Sequence, residues 1–559
     1  MAALLLLYGG GLVARLGYLQ VHQHATLAAE SDRQAMEILD VRSRRGLILD
    51  RNHTPLAVNL EVESVYADPQ RVDDPAGAAL VLGAALGLDH RQVERKLTAA
   101  RRFVWIKRKA GLEAVADLKF QSLAGIGFIR ESLRFYPQRE LAASTLGFVG
   151  MDNKGLEGIE HQYDDILHGA TRRRQVERDA LGRALLDPIK GWAGISASQD
   201  LELTLDEVIQ FAAERALAAQ VRRFDARGGI VLVLEPVTGD VLALATEPPF
   251  NPNRYAAFPP EAWRNRAVSY AYEPGSIFKP IVAAASLEEN TATPEELFFC
   301  ENGLFKVGGT AIREAAGHKF GWLSLARILT HSSNIGAIKV AQKLGENRFY
   351  NYLRKFGFGG RLGVDLPGES AGKLRPLKKW SGLSLASISF GHEISVTPMQ
   401  MAAAIAAIAN GGTLMKPRLA RAVWKNGTRI KTFPPQRIRR VISEKTSRRM
   451  VGILKSVVRE GTGRQAALAG FEVAGKTGTA QKVDPATGRY SSTAYLSSFV
   501  GFVPADAPRL VILVMIDEPR KPYWGGKVAA PVFREIARKA LRHLNVPSNR
   551  ERVFVLNRA

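Results

Sequence analysis

Three short polar motifs, far apart but in a fixed order, constrain this chain more than any other feature. Ser276-Ile277-Phe278-Lys279, within "EPGSIFKP", sets a lysine three residues after a serine. Ser332-Ser333-Asn334 lies in "THSSNIGAIKV", and Lys476-Thr477-Gly478-Thr479 lies in "VAGKTGTAQK". Ser332 follows Ser276 by 56 residues, and Lys476 follows Asn334 by 142. If the three act together, the intervening chain must return to one place twice. That requires a large domain with long-range packing.

The first motif has a chemical logic of its own. Pro274-Gly275 punctuates the chain, so a helix is expected to start near Ser276 and run into "IVAAASLEE". Residues three apart on a helix share a face, so hydroxyl and amine point the same way. Lysine avoids an apolar run unless it has a partner, and burial disfavours its charged form. A neutral amine beside a hydroxyl is a general base beside a nucleophile.

Taken singly, each motif has a plain structural reading. Chance supplies about two Ser-x-x-Lys matches in a chain of this length. A second copy, Ser370-Ala371-Gly372-Lys373, sits among Gly and Pro in "LPGESAGK" and is expected to be a loop. The serines or asparagine of the second motif would serve as helix N-caps. The third would be a strand with one exposed lysine. Their joint occurrence in this order points instead to nucleophilic acyl transfer. The copy at Ser370 follows the second motif and so breaks the order.

At 559 residues the chain needs two or more domains. Apolar (46%) and charged (23%) fractions are those of a globular protein, but the net charge of +23 is high. No zinc-finger spacing, RNP-like segment or basic helix accompanies it, so nucleic acid is not expected as a partner. The basic residues are spread along the chain and read mostly as a solvated surface. Any attraction to anionic lipid or lipid-linked precursor would weaken as salt rises. Cys300 is the only cysteine, which excludes an internal disulfide and a multi-cysteine metal site. It is read as a small packed residue, and no metal or cofactor is expected.

The N-terminal "AALLLLYGGGLVA", followed by Arg15 and "LGYLQV", approaches the length of a membrane span when counted through Val21. No convincing cleavage site follows. An uncleaved signal anchor over 1–21, shortened at its start, is expected, with a buried N-terminal helix as the alternative.

Beyond it, "HQHATLAAESDRQAMEI" reads as a helical approach. "VRSRRGLILDRNHTPLAVNLEVESVYADP" reads as strand, turn at Asn52-His53, and strand. Residues 76–125 read as helical, and "DALGRALLD" near 180 as a turn. A boundary is expected at 191–199. After it come an amphipathic helix in "LELTLDEVIQFAAERALAAQVRR", two strands in "GGIVLVLEPVTGDVLALAT", and further strands in "FEVAGKTGTAQKV", "AYLSSFVGFVP" and "RLVILVMID". Strands at both ends with helices between them predict an α+β fold, an antiparallel sheet packed on helices. The expected division is an anchor (1–21), an elongated mixed α/β pedestal of dimerisation type (22–195), a catalytic domain (196–545) and a basic tail (546–559).

The ordered motifs, with "RGLILDRN", "GLEGIEHQYDDILHG", "DALGR" and "AAPVFREI", resemble the class B high-molecular-weight penicillin-binding proteins over nearly the whole chain. The detail is most similar to the division-specific, FtsI-type peptidoglycan D,D-transpeptidase. The elongation-type enzyme is the near alternative. His53 departs from the pattern, since Gly is common after the Asp-Arg-Asn turn.

The resemblance implies a serine β-lactamase-like catalytic fold and an acyl-enzyme at Ser276. Lys279 would take the serine proton, and the backbone amides of Ser276 and Thr479 would form the oxyanion hole. Ser332 would relay a proton, and Asn334 would hold the donor peptide. Lys476, Thr477 and Thr479 would bind the terminal carboxylate. Gly475 and Gly478 would let substrate lie close to the strand. Implied ligands are D-Ala-D-Ala stem peptides and β-lactams. Implied partners are a membrane-embedded septal glycosyltransferase and other division proteins. The implied location is the bacterial cytoplasmic membrane, with catalysis in the periplasm. Other readings are a D,D-carboxypeptidase, a β-lactam hydrolase (for which a Glu-x-x-Leu-Asn segment between the second and third motifs is missing), and a scaffold or β-lactam sensor.

Overall fold

The computed structural model describes residues 1–27, 36–42, 44–168, 171–177, 198–484 and 487–548, with 36–42 and 171–177 as backbone only. The "DALGR" turn, most of the expected boundary at 191–199 and the tail beyond 548 lie outside them. Two units separate: 1–46 with 165–199, and 47–164 with 200–559.

In the first unit, Ala2–Gly17 is α-helical and Tyr18–His22 continues it as a π-helix. Together they form a 21-residue apolar segment with none of it buried. At about 1.5 Å per residue it matches a hydrocarbon core of about 30 Å. It is consistent with a single-pass anchor. The expected helical approach ends earlier than predicted, because Met36–Arg42 is a strand paired antiparallel with Thr171–Glu177.

The second unit opens with strand β1 (Ile48–Leu49), a tight turn, and β2 (Pro55–Ala67), as the alternation predicts. Asp50 shapes the turn by accepting from the backbone N–H of Asn52 and of Thr54, each at 2.8 Å. His53 adopts φ +65°, which explains why glycine suits the position. Its ring meets Trp424 edge-on at 5.1 Å.

Helices α1 (Pro75–Leu86) and α2 (His90–Leu97) follow, then β3 (Val104–Ala110), α3 (Leu112–Gln121) and β4 (Ile126–Phe135). The expectation of continuous helix over 76–125 fails at β3. Its "VWIKRKA" opens on three apolar residues of strand-favouring type, and Ile106 and Ala110 are buried against the helices.

Strand β5 (Asp200–Leu203) runs parallel to β1, pairing Leu201 with Ile48. It leads to α4 (Glu207–Arg223), which is capped by the Asp206 carboxylate accepting from Val208 and Ile209. Then come β6 (Gly228–Leu234) and β7 (Val241–Glu247), followed by a helical middle. That middle contains α5 (Lys279–Glu288), α6 (Leu325–His331), α7 (Asn334–Leu344) and α8 (Pro398–Ala409). Strands β8 (Ala420–Lys425) and β9 (Thr428–Thr432) extend the first sheet to the order β9-β8-β5-β1-β2-β3, with β4 also on β2.

After α9 (Glu444–Arg459) come β10 (Ala474–Val483), β11 (Tyr490–Val503), β12 (Leu510–Asp517) and the final helix α10 (Ala530–His543). The second sheet has the order β10-β11-β12-β6-β7, antiparallel throughout. Every residue of β6 and β12 is buried, as befits strands covered on both faces. Leu217 of α4 and Phe533 of α10 join Val231 and Val514 in one core. Helix α8, buried along its whole length, packs one side on the same sheet. The α+β expectation holds, and β10, which carries the third motif, is the edge strand.

Candidate active site

Ser276 lies in a 3-10 turn, Gly275–Phe278, that runs directly into α5. The turn is held where two backbones touch. Gly275 N–H donates to Gly391 O at 3.1 Å, and a Cβ on Gly391 would stand 2.2 Å from Gly275 O. Gly391 also takes φ +87°, so only glycine fits there. Ile277 and Phe278 are buried and fix the turn, leaving Ser276 at the surface of a cleft of about 420 Å³. Ser332, Thr477, Gly478 and Thr479 line the same cleft.

Lys279 is fully buried at the start of α5, a helix buried from Lys279 to Leu287. Its Nζ donates to Ser332 O at 2.6 Å, Asn334 Oδ1 at 2.8 Å and Ser332 Oγ at 3.2 Å. Ser332 presents its carbonyl because it ends α6 in the left-handed conformation, φ +62°. For a residue other than glycine that conformation costs about 1–2 kcal/mol, and such strain gathers at functional sites. The capping reading of the second motif applies to Ser333 alone, whose Oγ accepts from Gly336 N–H at the start of α7. Ser332 and Asn334 turn towards Lys279.

Lys476, also fully buried, reaches the same hydroxyl from β10. Its Nζ donates to Ser332 Oγ at 2.9 Å and to Thr477 O at 3.0 Å. The expected exposed lysine on a strand is therefore not what the third motif supplies. Burial pulls Lys279 down to about 7, against the opposing pull of the Glu314 charge. Burial likewise pulls Lys476 well below its ordinary value, and the Lys279 charge pushes it lower. One hydroxyl thus stands between two amines poised to lose or share protons. Thr477 Oγ1 is bonded to Thr462 Oγ1 at 2.6 Å, and Thr479 Oγ1 accepts from Gly525 N–H at 3.0 Å.

The glycines of the third motif answer to packing. A Cβ on Gly478 would lie 2.4 Å from Ser498 Oγ and 2.9 Å from Ile277 Cγ2, and one on Gly475 would lie 2.6 Å from the Phe499 ring. Gly478 lets β10 close against the turn that carries Ser276. The copy at Ser370 and Lys373 is a loop, with Lys373 bridged to Ser395, and neither residue lines the cleft. Cys300 is buried, as expected of a packed residue.

Two supports were not singled out from sequence. The buried Glu314 carboxylate accepts from Asn334 N–H at 2.6 Å, Ile335 N–H at 3.3 Å and the Ser333 hydroxyl. It holds the head of α7, where a negative charge is favoured. Glu273 accepts from Glu393 N–H and from Tyr490 Oη, each at 2.9 Å, and so ties the segment before Ser276 to β11. No local pattern marks either residue, because their partners are distant in sequence.

Two family profiles match the chain in order. The penicillin-binding protein dimerisation domain covers residues 40–191, and the penicillin binding protein transpeptidase domain covers 229–538. Stage V sporulation protein D of Bacillus subtilis is 35% identical over 96% of this chain and 84% of its own length. Peptidoglycan D,D-transpeptidase FtsI of Escherichia coli is 32% identical over 96% and 90%. The crystal structure of penicillin-binding protein 3 from Mycobacterium tuberculosis superposes with a TM-score of 0.71 at 29% identity, covering 92% of this chain and 98% of that one. Likeness that runs through both regions and nearly end to end leaves one assignment: the chain belongs to the class B penicillin-binding proteins, serine-type transpeptidases of peptidoglycan.

Proposed function

We propose that this protein crosslinks stem peptides at the division septum through an acyl-enzyme on Ser276. The observation that carries the reading is the buried Lys279 amine, pulled down to about 7 and bonded to Ser332 and Asn334, one helical turn from Ser276. Ser276 Oγ attacks the carbonyl of the penultimate D-Ala, and its proton passes to Lys279. The backbone N–H groups of Ser276 and Thr479 hold the oxyanion. Each such donor is worth about 10²–10³ in rate. Ser332 passes a proton to the departing D-Ala amine, Asn334 holds the donor peptide, and Lys476, Thr477 and Thr479 bind the terminal carboxylate. Strand β10, at the sheet edge, offers its backbone to the extended peptide. An acceptor amine then attacks the ester carbonyl and gives up its proton, and Ser276 leaves with its own restored. A β-lactam acylates the same serine but keeps its leaving amine tethered, so the ester persists.

Residues 22–195 serve as the pedestal, 196–545 as the catalytic domain and 546–559 as a tail. The helix Ala2–His22 anchors the chain with catalysis on the periplasmic side, beside a septal glycosyltransferase and other division proteins.

Fluorescent penicillin tests the chemistry. The native chain is expected to carry a stable label, and Ser276→Ala to carry none. A variant that still labels would remove Ser276 from the role, and rapid release of label would favour a hydrolase. Depletion tests the septal assignment. Filaments without finished septa are expected, whereas rounded cells would assign the protein to side-wall synthesis.

A further inference from the structure

We propose that the groove between helix α2 and the loop entering β3 docks the phosphate of an anionic phospholipid, giving the chain a second, reversible membrane contact. The proposal rests on the anchor reading of Ala2–His22 and goes beyond it. Arg95 and Lys96 of α2, with Arg101 from the loop, line a groove of about 470 Å³, and Gln92, Ala99 and Val104 complete it. It shares no lining residue with the cleft that holds Ser276.

Positive charge is concentrated here. Residues 89–109 hold eight Lys or Arg and two Asp or Glu, so a net +6 of the chain's +23 falls in 21 of its 559 residues. The fold then sorts those charges. Val93 and Leu97 bury one side of α2, which leaves Arg91, Arg95 and Lys96 exposed. Arg108 is taken up by Glu131 at 2.5 Å and Asp152 at 2.7 Å, and Lys109 by Asn153 at 2.8 Å. The cations of the groove keep donors in hand. Arg95 uses its Nε on Arg91 O at 3.3 Å, which leaves the two ends of its fork. Lys96 donates to Trp105 O at 3.0 Å and Ile106 O at 3.1 Å, which lays the ammonium along β3 with a third proton to give. Arg95, Lys96 and Arg101 form no ion pair among the described residues, and no acid lines the groove.

Two guanidiniums and an ammonium around one groove fit an oxyanion with several oxygens, and the Arg fork matches phosphate geometry. Phe103 selects a lipid over a soluble phosphate. It follows Arg101-Arg102 directly and is 44% exposed, with its ring stacked on Tyr66 at 5.0 Å. An apolar ring beside cations suits the bilayer interface, where the ring enters the headgroup layer and the cations meet phosphate. A tethered chain docks intramolecularly, so modest affinity suffices.

The full chain is reconstituted into vesicles with an environment-sensitive dye on Ala100→Cys. Ala100 is exposed and Cys300 is buried, so the dye goes to position 100. Flotation reports the anchor, penicillin labelling reports the fold, and dye emission reports docking. Emission is expected to move to the blue in phosphatidylglycerol vesicles and not in phosphatidylcholine. The shift should disappear at about 0.5 M salt, where the screening length is roughly 4 Å. Arg95→Gln with Lys96→Gln and Arg101→Gln should lower the docked-to-undocked ratio about a hundredfold, or about fivefold per cation. Arg95→Gln with Arg101→Gln, which spares the Lys96 bonds to β3, should lower it about 25-fold. No shift in phosphatidylglycerol, an equal shift in both lipids, or a shift that survives the triple substitution in a chain that still labels with penicillin overturns the proposal. So does polyphosphate that gives the full shift on phosphatidylcholine vesicles, which would assign the groove to a soluble phosphate polymer. A chain that does not float with phosphatidylcholine vesicles overturns the anchor reading, and the proposal with it.

Discussion

Lys279→Met is expected to lose penicillin labelling and, at neutral pH, to unfold at a higher temperature than the native chain. The loss follows from the base. A positioned general base is worth about 10²–10⁴ in rate, and methionine has no proton acceptor. The gain in stability follows from burial. Moving the lysine from 10.5 to about 7 means that folding works against protonation. The difference corresponds to roughly 5 kcal/mol at or below pH 7. Methionine fills similar volume without that cost. It leaves Ser332 O and Asn334 Oδ1 without a donor, but Ser332 lines the cleft, where water can replace the amine. A net gain of about 1–2 kcal/mol, or a few degrees, is expected. The pH dependence gives the sign. Between about 7 and 10.5 the unfolded lysine binds the proton that the folded one has released, so native stability rises across that window. The variant's advantage is therefore largest at pH 7 and closes as pH rises. A variant that melts lower at pH 7, or that still labels, contradicts the account of Lys279 as a buried base.

The parts of this arrangement that could be read from sequence are those written in local pattern. Continuous apolar runs such as "RLVILVMID" became central strands because burial on both faces leaves no polar side to alternate. Asn52-His53 became a turn because the Asp50 carboxylate is at hand to accept its amides. The three motifs were legible because their spacing and order are improbable together. Misreadings arose where a short element sat inside a longer contrary texture. β3 spans only Val104–Ala110, and Ala/Leu-rich helices flank it on both sides. Beside the substrate approach read for them, Gly475 and Gly478 also face Ile277, Ser498 and Phe499 with their missing Cβ atoms, neighbours visible only once the sheet is built. The pairing of Ser332 with two lysines likewise depends on its left-handed backbone, which no local signal announces.

Glu314 belongs to that illegible class, and Glu314→Gln separates its two effects. The carboxylate uses both oxygens, one for Asn334 N–H and the other for Ile335 N–H and the Ser333 hydroxyl. Glutamine keeps the shape but has one acceptor oxygen, so at least one buried donor loses its partner, at about 1–3 kcal/mol. Because those donors fix the head of α7, Asn334 shifts relative to Lys279. Misplacement on the ångström scale costs about 10² in rate. Packing damage alone would lower acylation by the same factor at every pH. The charge has a second consequence. Burial lowers the Lys279 pKa and Glu314 raises it, so removing the negative charge lets the amine fall further. Acylation of the native chain should rise with pH through a midpoint near 7 as Lys279 sheds its proton, and in Glu314→Gln that limb should move to lower pH. Stopped-flow acylation by a chromogenic β-lactam across pH 5–9 measures both. A slower variant with an unmoved limb would reduce Glu314 to a cap for α7, and a limb displaced upwards would mean that the base is some group other than Lys279.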